Sequence, residues 1–271
     1  MATVTPTTTL AASTAEVRLN SDSPIQVPDG INNIVSLVPY YCPATAFSPD
    51  ESYVTRLRLQ SNDISVEPCR FMMSGVNTGD AAFASVQAPI LQEYNMNIPN
   101  ANGANMNIYA QPMVNNTNAM DVGCELVYST SATGAQQFWN TPDALSTGGT
   151  VIDTRTTLNT ITVTDGSEIT SLNMLVAPTT AAASTHDVGE AEFTSSDFQV
   201  PFPYSFPIAP SFSCLGAAAA QLTNPNGLSR QRFPANHGIP LAPRALINSF
   251  YTNRDAKGVG SSVMPFISFT R

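Results

Sequence analysis

A single lysine, Lys257, stands in the whole chain. Charge is scarce throughout, with 20 Asp or Glu and 11 Lys or Arg among 271 residues. An amphipathic helix needs Glu, Lys, Arg and Gln along its solvent face. That supply is too small here for a helical bundle or a coiled coil. Polarity comes instead from 29 Thr, 26 Ser and 22 Asn. Threonine suits half-buried strands and asparagine suits turns. With 42% hydrophobic residues, the chain also has enough apolar surface to build a core. These constraints point to a β-rich globular protein.

The strand signals recur along most of the length. Ala15–Leu19 is short, and Ile31–Tyr41 is apolar and β-branched. In Tyr53–Gln60, Thr55, Leu57 and Leu59 alternate with Arg56 and Arg58. Ile64–Ser74 and Ile90–Ile98 follow. Ala104–Val114 and Val122–Thr130 alternate on either side of an Asn-rich loop, which predicts a hairpin. Leu158–Thr164 and Ile169–Ala177 flank Asp165-Gly166, a second hairpin signal. Val188–Thr194 turns Ala191 and Phe193 one way and Glu190 and Glu192 the other. Pro201–Pro210 holds four prolines, so it fits an edge and not a central strand. Gly216–Leu222 is the best helix candidate, and Arg244–Thr252 and Ser262–Thr270 are the last strand candidates. No fixed-period repeat is visible.

Ten to twelve strands with uneven connections predict an all-β chain: a jelly-roll type β-sandwich of about eight main strands. The expected organisation is an extended N-terminal arm at 1–14, the sandwich at 15–215 and a basic C-terminal extension at 216–271 with one or two further strands. Charge supports the last boundary. Residues 226–271 carry Arg230, Arg232, Arg244, Arg254, Lys257 and Arg271 against Asp255 alone, for +5, while the rest of the chain is −14. These six residues form the candidate contact surface for an interior, a membrane or a neighbouring subunit.

Residues that could carry chemistry are few. Phosphate-cradling motifs and spaced calcium loops are absent, and the four cysteines (Cys42, Cys69, Cys124, Cys214) show no CxxC spacing. They read as buried free thiols. His186-Asp187 could be a base and its carboxylate, but no nucleophile motif accompanies them. His237 lies in a Pro/Gly-rich stretch and reads as structural. Glu190 and Glu192 project from one strand face as paired glycosidase carboxylates can, and equally as two solvent-facing acids do. Asn115-Asn116-Thr117 matches a glycosylation sequon, without any secretory leader in view, and reads as an Asn-rich loop. The expectation is a protein that is not an enzyme and takes no cofactor, metal or small-molecule substrate.

The neutral Thr-rich stretch at 1–14, the strand series from Ile31 to Thr194, the segment VPFPYSFP at 200–207 and the extension after Gly216 together resemble viral coat proteins of the jelly-roll type. The resemblance implies a structural subunit that self-assembles into an icosahedral shell. Its partners would be copies of itself and other capsid proteins, and its location the virion, after synthesis in the host cytoplasm. Many such coats carry a dense Arg/Lys arm, and residues 1–17 hold none. The likeness is therefore to shells that surround an internal membrane or a genome packaged by other components, with the basic C-terminal region meeting membrane or genome. Two rival classes are a β-sandwich that binds or cleaves glycans, with Trp139 and tyrosines lining a groove, and a cell-surface lattice or adhesin protein.

Overall fold

A computed structural model describes residues 2–4, 7–10, 14–20, 23–30, 33–43, 52–63, 69–76, 93–99, 104–113, 120–131, 135–165, 168–178, 185–186, 188–198, 203–208, 212–213, 227–233, 238–254 and 261–271. Every regular element among them is a β-strand.

The first half contributes β1 (Ala2–Val4), β2 (Thr7–Leu10), β3 (Val17–Arg18), β4 (Ile25–Gln26), β5 (Asn33–Pro43), β6 (Ser52–Gln60), β7 (Arg70–Val76), β8 (Tyr94–Pro99), β9 (Asn105–Pro112) and β10 (Met120–Ser129). One sheet runs β1-β10-β5-β8, with β2 also on β10. The other runs β3-β9-β6-β7, with β4 also on β9. Segments β1 and β2 share one sheet position, and so do β3 and β4. Eight positions numbered along the chain then read 1-8-3-6 in one sheet and 2-7-4-5 in the other. This is the strand order of a jelly roll, two four-stranded sheets closed by long crossovers.

The second half repeats the pattern. Its strands are β11 (Gln137–Asn140), β12 (Ser146–Gly148), β13 (Arg155–Thr157), β14 (Ile161–Val163), β15 (Glu168–Pro178), β16 (Thr185–His186), β17 (Gly189–Thr194), β18 (Tyr204–Ile208), β19 (Phe212–Ser213), β20 (Gly227–Arg232), β21 (Ile239–Pro240), β22 (Ala245–Asn253) and β23 (Ser261–Thr270). The sheets run β11-β23-β15-β20, with β12 on β23, and β13-β22-β17-β18, with β14 on β22. Counting β11 with β12, β13 with β14 and β20 with β21, which also lies on β15, and setting aside the short β16-β19 pair, gives 1-8-3-6 and 2-7-4-5 again. Two of the three breaks fall at the same positions as in the first half. The repeat is one of topology and not of residues. Among the described residues no ladder joins a strand of 2–129 to a strand of 137–270.

Several expectations change. Residues 2–4 and 7–10 are not a free arm but pair with β10 at Leu126–Tyr128 and Met120–Gly123, as the outer strand of their own sheet. Nor is 245–270 peripheral, since β22 and β23 each lie between two strands of a sheet. A jelly roll places its last two strands centrally, so the C-terminal segment returns to the core. Both expected hairpins are also absent. Strands β9 and β10 lie in different sheets, and so do β14 and β15. The Gly216–Leu222 helix candidate lies outside the described residues.

Proline placement follows from the ladder. Proline donates no hydrogen bond and is tolerated only where one side is open. Pro265 sits in central β23, opposite Met174, but the break between β11 and β12 leaves its other side without a strand partner, and there its carbonyl accepts from the Thr141 hydroxyl at 3.1 Å. Pro39 pairs with Cys124 beyond the end of β8, and Pro178 with Ser261 beyond the end of β20. Pro207 is on β18, the edge strand of its sheet.

Alternation builds the core. Met106, Ile108 and Ala110 of β9 lie beside Leu57 and Leu59 of β6 on one sheet face and share a buried cluster with Val122, Leu126 and Tyr128 of β10 in the other sheet. Phe138, Leu172, Met174, Ala191, Phe193, Ile247, Ile267 and Phe269 belong to its second-half part. β23 is different, because residues 262–269 are all buried. One face of this strand fills its own roll, and the other meets the first half.

Candidate functional site

The two rolls meet along a seam. β7 and β8, one edge strand from each sheet of the first roll, supply Phe71 and Tyr94. The second roll supplies Trp139 on β11 and Phe266 on β23. In the ladders Trp139 pairs with Ser268, and Asn173 with Phe266, so these side chains share the face that looks away from their own core. Trp139 meets Tyr94 edge-on with centroids 4.9 Å apart, and Phe266 is 6.2 Å from Trp139. The Trp139 indole N–H donates to the Asn95 carbonyl at 2.9 Å, while the Tyr94 hydroxyl donates to the Met72 carbonyl. Trp139 is 3% exposed, so it lines no open groove. The glycan groove expected around it is filled by the first roll.

An ionic latch flanks this aromatic cluster. Arg56 of β6 donates to the Pro142 carbonyl at 3.1 Å and pairs with Asp143 at 3.3 Å. Arg70 of β7 donates to the Thr141 carbonyl at 3.2 Å and pairs with the same carboxylate at 2.8 Å. Two cations of the first roll thus share one anion of the second. Arg56 is buried and its Nε has no partner. Burial first, and then Arg70 beside it, lower the affinity of its guanidinium for its proton. Alternation correctly turns Arg56 to the outer face of its sheet. It is buried because a second roll covers that face. The available signal was two arginines on adjacent strands in a chain so poor in charge.

The described members of the six basic residues lie on several elements. Arg254 pairs with Asp153 and Glu190, each at 2.6 Å. Arg271 pairs with Asp165 at 2.7 Å, its guanidinium 5.5 Å from the centre of the Phe138 ring. Arg244 is exposed in a left-handed turn (φ 62°) before β22. Arg230 and Arg232 belong to edge strand β20, opposite Asn173 and Ser171. Lys257 lies outside the described residues. Two of these cations therefore answer acids of their own chain.

Glu190 and Glu192 are both engaged. Glu190 is held below the usual carboxylate range, chiefly by the hydrogen bond from Arg254. Glu192 pairs with Arg155, whose guanidinium lies 3.3 Å from the centre of the Phe250 ring. Both are ion-pair partners on the outer face of their sheet. His186 is on β16, beside Phe212, and His237 lies outside the described residues. No group of three or more His, Cys, Asp or Glu side chains able to hold a metal occurs among the described residues.

Cys69 and Cys124 are free and buried. Burial pushes both thiols up to about 12. Since the thiolate is the reactive form, both should resist a thiol reagent at pH 8 until the chain unfolds. Labelling followed by mass spectrometry checks this. Modification of either residue in the native protein would contradict the described packing.

No family model matches the chain, and no curated protein matches its sequence. Among solved structures it is similar to one described as Cowpea mosaic virus top component, naturally occurring empty particles (6% identity, 99% of this chain and 89% of that one, TM-score 0.42). It is also similar to the STIV MCP (11%, 98% and 97%, TM-score 0.41). A third is PBCV-1 VP54 fitted into a reconstruction of the virophage Sputnik (9%, 99% and 93%, TM-score 0.33). The two rolls are defined by the chain's own strand order.

Proposed function

We propose that the chain is a virus coat protein and that its two domains, 2–129 and 137–270, are jelly rolls fused into one subunit. The observation that carries this reading is the tandem itself: two complete rolls with the same strand order, joined by a buried aromatic seam and an ionic latch. Jelly rolls hide most of their sheet edges. Such a subunit can present broad, low-charge faces to its neighbours without uncontrolled edge pairing. Copies of the chain, and other coat proteins where present, would associate through these faces, and closed symmetry would end growth in a shell of icosahedral type. The role is structural and its place is the virion. Internal membrane or genome contact forms no part of the reading, because Arg254 and Arg271 are already paired within the chain.

Sedimentation velocity of the full chain, over a range of concentration and salt, tests the proposal. The expected result is a discrete large species in equilibrium with subunits. A single slow species under every condition would refute it.

A further inference from the structure

We infer that a polar cavity on the first roll is a binding site for a neutral carbohydrate. The cavity has a volume of about 410 Å³ and lies where the turn after β6 meets the outer side of β9. That size falls within the range of small-ligand pockets, roughly 300–1,000 Å³. Gln60, Asn62 and Asp63 line one side, and Asn105, Asn107 and Tyr109 the other.

The walls are fixed by contacts inside the chain. The Ser61 hydroxyl donates to the Asn105 carbonyl at 2.7 Å, and Asp63 Oδ2 accepts from the Asn105 amide at 2.9 Å. The Asp63 amide in turn donates to the Ser61 hydroxyl at 3.1 Å. Gln60 Oε1 accepts from Arg58 at 2.8 Å, and Asn107 Oδ1 accepts from Asn20 at 3.2 Å. With both oxygens occupied, each amide is oriented to offer its NH2 group as a donor. The second oxygen of Asp63 is left as an acceptor. The Arg58 guanidinium sits 4.1 Å from the centre of the Tyr109 ring and holds that ring in place.

Oriented amide donors, a carboxylate acceptor and an aromatic ring match a ligand whose hydroxyls both donate and accept and whose ring has an apolar C–H face. A sugar is such a ligand. An anion would meet Asp63 with no cation in the lining. A cation would meet amide donors, and an apolar ligand would find only Pro24 and the Tyr109 ring in an otherwise polar lining. This site is independent of the coat-protein reading.

Saturation-transfer NMR on the full chain tests it with galactose, mannose, N-acetylglucosamine and lactose as probes and sialyllactose as the charged comparison. Transfer to at least one neutral sugar is expected, weakened at least about tenfold by Asp63→Asn and by Asn107→Ala, since a site that loses a hydrogen-bond partner discriminates strongly. Thr157→Ala on the second roll should leave it unchanged. Should Asn107→Ala fail to fold by circular dichroism, Asn62→Ala at the exposed turn replaces it. Absence of transfer from every neutral sugar, equal transfer in the variants, or a preference for sialyllactose would each overturn the inference.

Discussion

A chain ending at residue 260 should fail to form the second roll. β23 places Val263, Met264, Phe266, Ile267 and Phe269 at 0% exposure. Burying each such side chain contributes roughly 1.5–3 kcal/mol. Removing all five forfeits about 10 kcal/mol, which is comparable to the whole stability of an ordinary domain. The truncation also strips β11, β12 and one side of β15 of their partner. Limited proteolysis should then cleave within 137–260, where the intact chain resists, and the near-ultraviolet circular dichroism of the second-roll aromatics should collapse. Had residues 261–271 been part of a peripheral extension, the truncated chain would melt as cooperatively as the full one.

Trp139→Ala should cost about 3–5 kcal/mol, the usual loss for an aromatic side chain removed from a core. It removes the ring that spans Tyr94 and Phe266 and the hydrogen bond to the Asn95 carbonyl. The consequence is specific to the seam. Among the described residues the two rolls share no ladder, so with the centre of the aromatic cluster gone they should unfold separately, as two thermal transitions in place of one. Trp139→Phe keeps most of the apolar contact and should lose only about 1 kcal/mol with the hydrogen bond. Because Trp139 is the chain's one tryptophan, its fluorescence reports the seam directly. Emission in the native protein should be blue-shifted and should move to the red as the rolls part. A single unshifted melting transition for Trp139→Ala would show that the seam does not couple the rolls.

Strand identity and facing were largely legible in the sequence, because period-two alternation is a local property. The opposition of Ala191 and Phe193 to Glu190 and Glu192 could be read directly, and so could the edge character of the proline-rich β18. Partner choice could not. β14 finds its partner in β22, with Ile161 opposite Ile247, and nothing near residue 161 encodes that distance. Asp165-Gly166 reads as a hairpin turn wherever it occurs, yet here the chain crosses to the other sheet. The same gap hid the second roll. The doubling lies in strand order, and no residue repeat reveals it.

Site legibility followed the same division. Arg56 is an outward residue of its own sheet, and only the arrival of Asp143 from the other roll turns it into half of a latch. The basic C-terminal residues stood out by count, but their acids, Asp153, Asp165 and Glu190, come from 64 to 106 positions upstream. The cavity residues Gln60–Asp63 and Asn105–Tyr109 looked like ordinary polar turns and strand faces. Their convergence depends on the ladder between β6 and β9, which sets Gln60 opposite Asn107 and Arg58 opposite Tyr109.

Electron microscopy of the full-length protein at assembly-promoting concentration tests the central claim most directly. The coat-protein account predicts closed shells of uniform size in which each subunit resolves as two adjoining β-sandwiches. Dispersed single subunits, or open sheets without closure, would contradict it.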